Sequence, residues 1–190
     1  MSTDGANVVA TLRHLRTFFQ EIGLLLGSAD NLIEKHSWKR TGNLVYGRMS
    51  YTLSEPQKWL QQDIFRLYRS EHSKNVLMSV TVILDDIENP SRVTEPLLTA
   101  GCFDYPSEKE LGIQLQHFNY SLPRWHLNMP GRIDDGTIIT AEYNPTQISG
   151  FVKVATLGVP LVSIETTTIL EQRVILPLIT ELNARSNLPS

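Results

Sequence analysis

Four acidic residues near the end of a strongly apolar segment could hold a divalent cation. Asp85, Asp86 and Glu88 follow the apolar run 76–84, and Glu95 comes soon after. Carboxylates suit hard cations, and a metal-bound water is a common hydrolytic nucleophile. These residues would make the protein a metal-dependent hydrolase or nuclease. No acid–x–lysine signature follows them, however, and acidic residues are ordinary in a solvated turn, so we favour a structural role.

A second candidate is the segment YSLPRWHLNMPGR, residues 120–132, in which Trp125 and His126 stand between Arg124 and Arg132. Its prolines and glycine interrupt any helix or central strand, which predicts a loop. As a ligand or partner loop it would offer the indole as an anchor and the arginines to an anion or carboxylate. As a structural plug it would bury the indole. Apolar neighbours favour the plug, with Trp125 buried and Arg124 and Arg132 at the surface.

Other reactive side chains are scattered along the chain. The sequence contains no glycine-rich phosphate loop, no nucleophile elbow, no paired cysteines and no two histidines at helical metal-ligand spacing. We expect the histidines to lie at the surface rather than to act as ligands, and Cys102 to be a buried, unreactive thiol. The sequence therefore implies no resident metal ion and no cofactor.

Composition narrows the class of protein. A hydrophobic share of 41% with 19% charged residues is ordinary for a soluble globular domain. The net charge of −3 gives no general attraction to nucleic acid or to an anionic membrane. The apolar stretch IGLLLG, residues 22–27, is far shorter than the roughly 20 residues of a membrane span. One cysteine suits a reducing compartment, and no targeting segment stands out, so we expect a cytoplasmic protein.

The N-terminal region has the strongest periodicity in the chain. Apolar residues follow alternating steps of four and three, which is heptad spacing and predicts an amphipathic helix over residues 6–37. The stripe consists of Val8, Leu12, Leu15, Phe19, Ile22, Leu26, Ala29 and Ile33, and it is widened by Val9, Phe18, Leu25 and Leu32. Such a stripe can pack on a sheet and still leave an apolar flank. Part of it is therefore either core or a dimer interface, for which the candidates are Leu12, Leu15, Phe19, Ile22 and Leu26.

Strand patterns fill the middle of the chain, and we expect the sheet within residues 43–157. Side chains alternate from Val45 to Leu53, and further strands are predicted at 63–69, 75–86, 96–105 and in a hairpin, 137–144 with 149–158. The apolar segment 76–84 predicts a strand at the sheet centre.

Between the strands, residues 104–136 form a loop-rich middle. Within it, residues 107–120 fit a helix slightly better than a strand, because Ser107 and Glu110 have the spacing of a capping box. A second box, Thr168 with Glu171, opens a predicted C-terminal helix, 168–186. Pro177 is expected to kink or split that helix.

These patterns predict a single α+β domain. Short polar turns imply a mainly antiparallel sheet of five or six strands, with the terminal helices on its apolar face. With no catalytic set evident, we expect a non-enzymatic interaction or regulatory module, a subunit of a homo-oligomer or larger assembly. It would bind a protein partner or its own copy through the N-terminal helix, with no nucleic-acid or membrane partner. The alternative is the metal-dependent hydrolase outlined above.

Overall fold

A computed structural model of the chain describes residues 5–46, 53–54, 60–116, 122–129, 134–144 and 150–186. They form one mixed α+β domain, in which a long N-terminal helix and a C-terminal helix accompany an antiparallel sheet, as predicted. The predicted strand from Val45 to Leu53 and the end of the 107–120 segment fall partly outside these residues, and Arg132 falls outside them entirely.

Six strands build the sheet in the part of the chain that the structure describes. They are β1 (Trp38–Tyr46), β2 (Asp63–Ser70), β3 (Val76–Ile83), β4 (Leu97–Asp104), β5 (Ile139–Glu142) and β6 (Lys153–Pro160), in the spatial order β1-β2-β3-β4-β6-β5. Every neighbouring pair is antiparallel. All residues of β3 are buried, which confirms the prediction that this β-branched, apolar strand lies inside the sheet.

The first face of the sheet carries the main core. The helix α1 (Gly5–Glu34) and the C-terminal helix pack there against alternate residues of β2, β3, β4 and β6. The strand residues that face these helices include Tyr68, Met78, Val80, Leu98 and Leu157. Burial of this face is what holds the C-terminal half of α1 on the domain.

The second face is also covered, although the sequence pattern predicted only one apolar face. Phe65, Leu77 and Phe103 point to this side and pack against Trp125 and Phe151. A short helix, α2 (Glu108–Gln116), and a 3₁₀ segment (Leu122–Asn128) supply the cover. The loop-rich middle of the sequence is therefore a second layer of the fold.

The chain turns sharply between α1 and β1. Ser37 has a φ of 63°, in the left-handed region, and β1 begins at the next residue. The prediction that the sheet starts at residue 43 is therefore wrong, because the polar segment after the helix is already strand. Gly42, with a φ of 77°, accompanies an irregular register between β1 and β2, which disturbs this edge of the sheet.

The N-cap of the C-terminal helix lies two residues before its predicted position. Thr166 is extended, and its hydroxyl accepts a hydrogen bond from the backbone N–H of Ile169 at 3.2 Å, whereas Thr168 already lies in the helix. The helix then runs as α3 (Thr167–Leu170), a π-helical segment (Glu171–Ile175) and α4 (Leu176–Ser186). Pro177 lacks an N–H donor, and a wider π turn interrupts the α-helical pattern just before it, where the sequence predicted a kink or a split.

The helical alternative for residues 107–120 is correct where the structure describes them. The Ser107 hydroxyl accepts from the N–H of Glu110 at 3.2 Å, so it caps α2 as the sequence indicated. Leu111 is buried against the second face.

Candidate functional site

The four acidic residues do not form a shared site. Asp86 is buried and points inward, whereas Asp85, Glu88 and Glu95 are exposed. Within the described residues, no group of three or more histidine, cysteine or carboxylate side chains is placed to hold a metal ion. Asp86 instead contacts Arg124, with its Oδ1 2.9 Å from Nη2 of the guanidinium.

Arg124 is the centre of a buried polar network on the second face. Its Nη1 donates to Oε1 of Gln62 at 3.1 Å and lies 3.4 Å from Oδ2 of Asp63, at the start of β2. All four side chains, Asp86 included, are buried. A buried charge is tolerated only when it is paired, so this network fastens the 3₁₀ segment to the ends of β2 and β3.

The prediction that Arg124 stays at the surface is therefore wrong; its exposed fraction is 5%. The 3₁₀ segment lies flat on the sheet, and the long side chain reaches carboxylates at two neighbouring strand ends. The available signal was the pair Asp63 and Asp86, of which Asp63 begins β2 and Asp86 closely follows the apolar strand β3. Their positions become adjacent only when β2 and β3 pair, as the register Asp63–Ile83 shows.

Trp125 is buried, which confirms the prediction of a plug; 8% of it is exposed. Its ring meets the rings of Phe151 and Tyr143 nearly at right angles, with centroid separations of 5.0 and 5.5 Å. These edge-to-face contacts make it part of an aromatic cluster centred on Phe151, whose ring also contacts Phe103, Tyr105 and Tyr143. Its Nε1 has no hydrogen-bond partner in the described part of the chain.

His126 is also buried, with 2% exposed, so the expectation of a surface histidine is wrong here. The Thr156 hydroxyl donates its only hydrogen to the carbonyl oxygen of Ala100 at 3.0 Å. The same hydroxyl lies 2.9 Å from Nδ1 of His126, and this contact holds one side of the imidazole on the sheet.

The candidate ligand loop, residues 120–132, is therefore a structural layer on the second face of the sheet wherever the structure describes it. Arg124, Trp125 and His126 all point into the protein and contact the sheet or its aromatic cluster. None of the three is accessible to a dissolved ligand. Arg132 lies outside the described residues, so its predicted role stays untested.

The N-terminal half of α1 projects beyond the core. No residue from 5 to 21 is buried, and we call this stretch the overhang; Ile22 is the first buried residue of the helix. Val8, Val9 and Leu12 are 45%, 46% and 49% exposed. Leu15 and Phe19 are half-buried.

The heptad stripe therefore has two different surroundings. Ile22 and Leu26, two of the five predicted interface residues, lie under the chain's own sheet and C-terminal helix and cannot meet another chain in the folded state. Leu12, Leu15 and Phe19 remain at least partly accessible. Phe19 also packs on the edge of the core, so the accessible stripe is continuous with the buried one.

An ionic cluster fixes the angle of α1 on the sheet. Asp30 accepts a hydrogen bond from the Tyr68 hydroxyl at 2.8 Å and lies 3.3 Å from Nη1 of Arg40 and 3.8 Å from Nε of Arg66. Burial and the neighbouring Asp30 carboxylate raise the pKa of Tyr68. Sequence reasoning missed this cluster, although an acidic residue beside the apolar stripe was a signal for a buried partner.

Two adjoining clefts lie beside α1. One, of about 700 Å³, is lined by Glu34, Trp38, Lys39, Arg40, Gly42 and Glu71. The other, of about 510 Å³, is lined mainly by small and polar residues of the helix, among them Gly23, Gly27 and Asn31. Lys39 and Glu71 form an ion pair across the first cleft. These clefts offer mixed charges and no cluster of reactive groups.

Comparison of the chain with protein-family models, with curated proteins and with solved structures gave no match. Among the described residues, none of the helices has the length and apolar character needed to cross a bilayer.

Proposed function

We propose that the protein is a non-enzymatic interaction module that associates with its own copy through the overhang of α1. The observation that carries this proposal is the unbroken heptad stripe with only half of its length covered. From Ile22 onward the stripe is core, whereas Val8 and Leu12 continue the same spacing on an exposed part of the helix, and Phe19 packs on the edge of the core between the two. Heptad spacing is the pattern by which one helix packs along another.

Association would remove the exposed apolar surface of the overhang from water, and this burial would stabilise the dimer. Completing the burial of a half-exposed valine or leucine contributes about 1 kcal/mol. Val8, Val9 and Leu12 of both copies would each contribute on this scale, and the half-buried Leu15, Phe18 and Phe19 would add to the contact. Contiguous apolar surface of this kind is typical of an interaction site.

The acidic residues support a hydrolase less well. Asp86 is engaged by Arg124, and its three acidic neighbours in sequence point to solvent. The proposal assigns the module to the cytoplasm, since the one cysteine is buried and unpaired, and assigns it no nucleic-acid partner, given the net charge of −3.

Solution mass tests this proposal. Light scattering behind size exclusion should give the parent twice the chain mass of 21.5 kDa. Leu12→Glu should have the mass of one chain, because a carboxylate would enter the apolar contact. Leu24→Glu is the matched control, since Leu24 lies on the same helix, off the stripe, and is 74% exposed.

The Leu24 variant should keep the parent's mass. Circular dichroism should show that both variants keep the fold. A parent with the mass of one chain, or a Leu12→Glu variant with the parent's mass, would overturn the proposal.

A further inference from the structure

Two polar groups inside the aromatic cluster of the second face have no hydrogen-bond partner among the described residues. They are the hydroxyl of Tyr105 and the Nε1–H of Trp125, and both atoms are buried. Tyr105 as a whole is 1% exposed and Trp125 is 8% exposed. A buried polar group without a hydrogen bond destabilises the folded state, and native proteins contain few of them. These two groups therefore indicate a bound polar molecule.

The two side chains come from different layers of the fold and meet at one ring. Tyr105 directly follows β4, whereas Trp125 belongs to the 3₁₀ segment. Both rings pack edge-to-face on Phe151, with centroid separations of 6.2 and 5.0 Å. The backbone N–H of Tyr105 donates to the carbonyl oxygen of Asn75 at 2.9 Å, which holds Tyr105 at the end of the sheet. A molecule bound to both groups would join the 3₁₀ segment to the sheet.

The chemistry of the two groups defines what can bind there. An indole N–H only donates, so the bound molecule must accept a hydrogen bond. Burial raises the pKa of Tyr105, so its hydroxyl keeps its proton at neutral pH and can either donate or accept. The surrounding side chains are aromatic or aliphatic, among them Phe103 and Leu111, and such a lining disfavours an ion. A small neutral molecule that both accepts and donates fits this site.

We propose that a bound water molecule bridges the Tyr105 hydroxyl and Nε1 of Trp125. Buried waters in proteins typically make about three hydrogen bonds to polar groups that have no other partner. This water accepts from the indole N–H and bonds to the tyrosine hydroxyl, so one molecule satisfies both groups. The site lies on the second face, away from the overhang, and does not depend on self-association.

The stability of Tyr105→Phe tests whether the hydroxyl is satisfied, because this change removes one oxygen and keeps the ring. If the water binds there, the unfolding equilibrium constant at neutral pH should rise about fivefold, as for the loss of one buried hydrogen bond. An unsatisfied hydroxyl predicts the opposite sign, since phenylalanine has no polar group to remove from water. Urea unfolding measures the constant, and an unchanged or lower value would overturn the proposal.

Tyr143→Phe is the matched control in the same aromatic cluster. The Tyr143 ring also packs on Phe151, but its hydroxyl lies 3.5 Å from Sδ of Met129, and Tyr143 is only half-buried. Because a thioether is a weak acceptor, the unfolding equilibrium constant of this variant should change by less than about twofold. A rise as large as that of Tyr105→Phe would show that any lost hydroxyl destabilises this cluster, which would overturn the proposal.

A crystal structure of the parent tests the bridge itself. It should show one ordered water molecule within about 3.2 Å of both the Tyr105 hydroxyl oxygen and Nε1 of Trp125. Electron density that places no water between these two atoms would overturn the proposal.

Discussion

The Tyr68 hydroxyl donates a 2.8 Å hydrogen bond to Oδ1 of Asp30, and this contact joins α1 to β2 inside the domain. Arg40 approaches the other carboxylate oxygen of Asp30 at 3.3 Å, so the carboxylate has a donor on each oxygen. The helix is therefore fixed in rotation as well as in position. That rotation directs the stripe of the overhang to the same side as the core.

Alkaline pH should weaken the fold through two buried tyrosines. Burial, with the Asp30 carboxylate in addition for Tyr68, raises the pKa of Tyr68 and Tyr105 above the ordinary value of 10.0. Because the folded pKa is the higher one, this stability is fully present below pH 10 and is lost as the pH rises toward the folded pKa. Each of the two tyrosines should lower the free energy of unfolding by about 1.4 kcal/mol for every pH unit above pH 10, until the pH reaches its folded pKa.

Urea unfolding at a series of pH values measures this loss. Tyr68→Phe should flatten the fall above pH 10, and at neutral pH it should lower the free energy of unfolding by about 1–3 kcal/mol, because Asp30 loses a donor. If the free energy of unfolding of Tyr68→Phe fell as steeply above pH 10 as that of the parent, Tyr68 would not be a source of the alkaline loss of stability.

Arg124→Met should lower the free energy of unfolding by about 3–5 kcal/mol, because it leaves Asp63 and Asp86 buried without their cation. Adding Asp63→Asn and Asp86→Asn to this variant should recover much of the loss, since the uncompensated charges are removed. Chemical denaturation measures both effects. Equal stability of the Arg124→Met protein and the parent would contradict the buried network.

Trp125→Ala should cost about 3–5 kcal/mol, as truncation of a large core side chain does. Leu53→Ala is a matched control at an exposed apolar residue and should change stability by less than about 0.5 kcal/mol. Thermal and urea unfolding give both values. An unchanged melting temperature for Trp125→Ala would mean that the 3₁₀ segment does not plug the second face.

Periodicity explains why much of the fold is predictable from the sequence. Three patterns depend only on residues that are close in sequence: the alternation in the hairpin of β5 and β6, the apolar run of β3 and the heptad stripe of α1. Each of these elements forms where its pattern lies. The start of β1 was missed because Trp38 to Gly42 shows no alternation and the chain reverses at a single residue, Ser37.

The burial of Arg124 and His126 could not be read from their neighbours in sequence. Arg124 is held by Gln62, Asp63 and Asp86, and His126 by Thr156, which all come from other elements. Polar residues in a proline-bounded segment look solvated unless the partners on the sheet are known. The exposure of Leu12 and the burial of Leu26 likewise depend on where the sheet ends beneath α1, which the heptad pattern does not encode.

Amide hydrogen exchange along α1, at high and low protein concentration, tests the central claim most directly. Core contacts within one chain do not depend on concentration, whereas a contact between copies does. Amides of residues 5–21 should be protected at high concentration and should exchange faster on dilution, while those of residues 22–34 should not change. In Leu12→Glu, the overhang should exchange fast at both concentrations. Exchange of residues 5–21 that is the same at both concentrations in the parent would contradict the account.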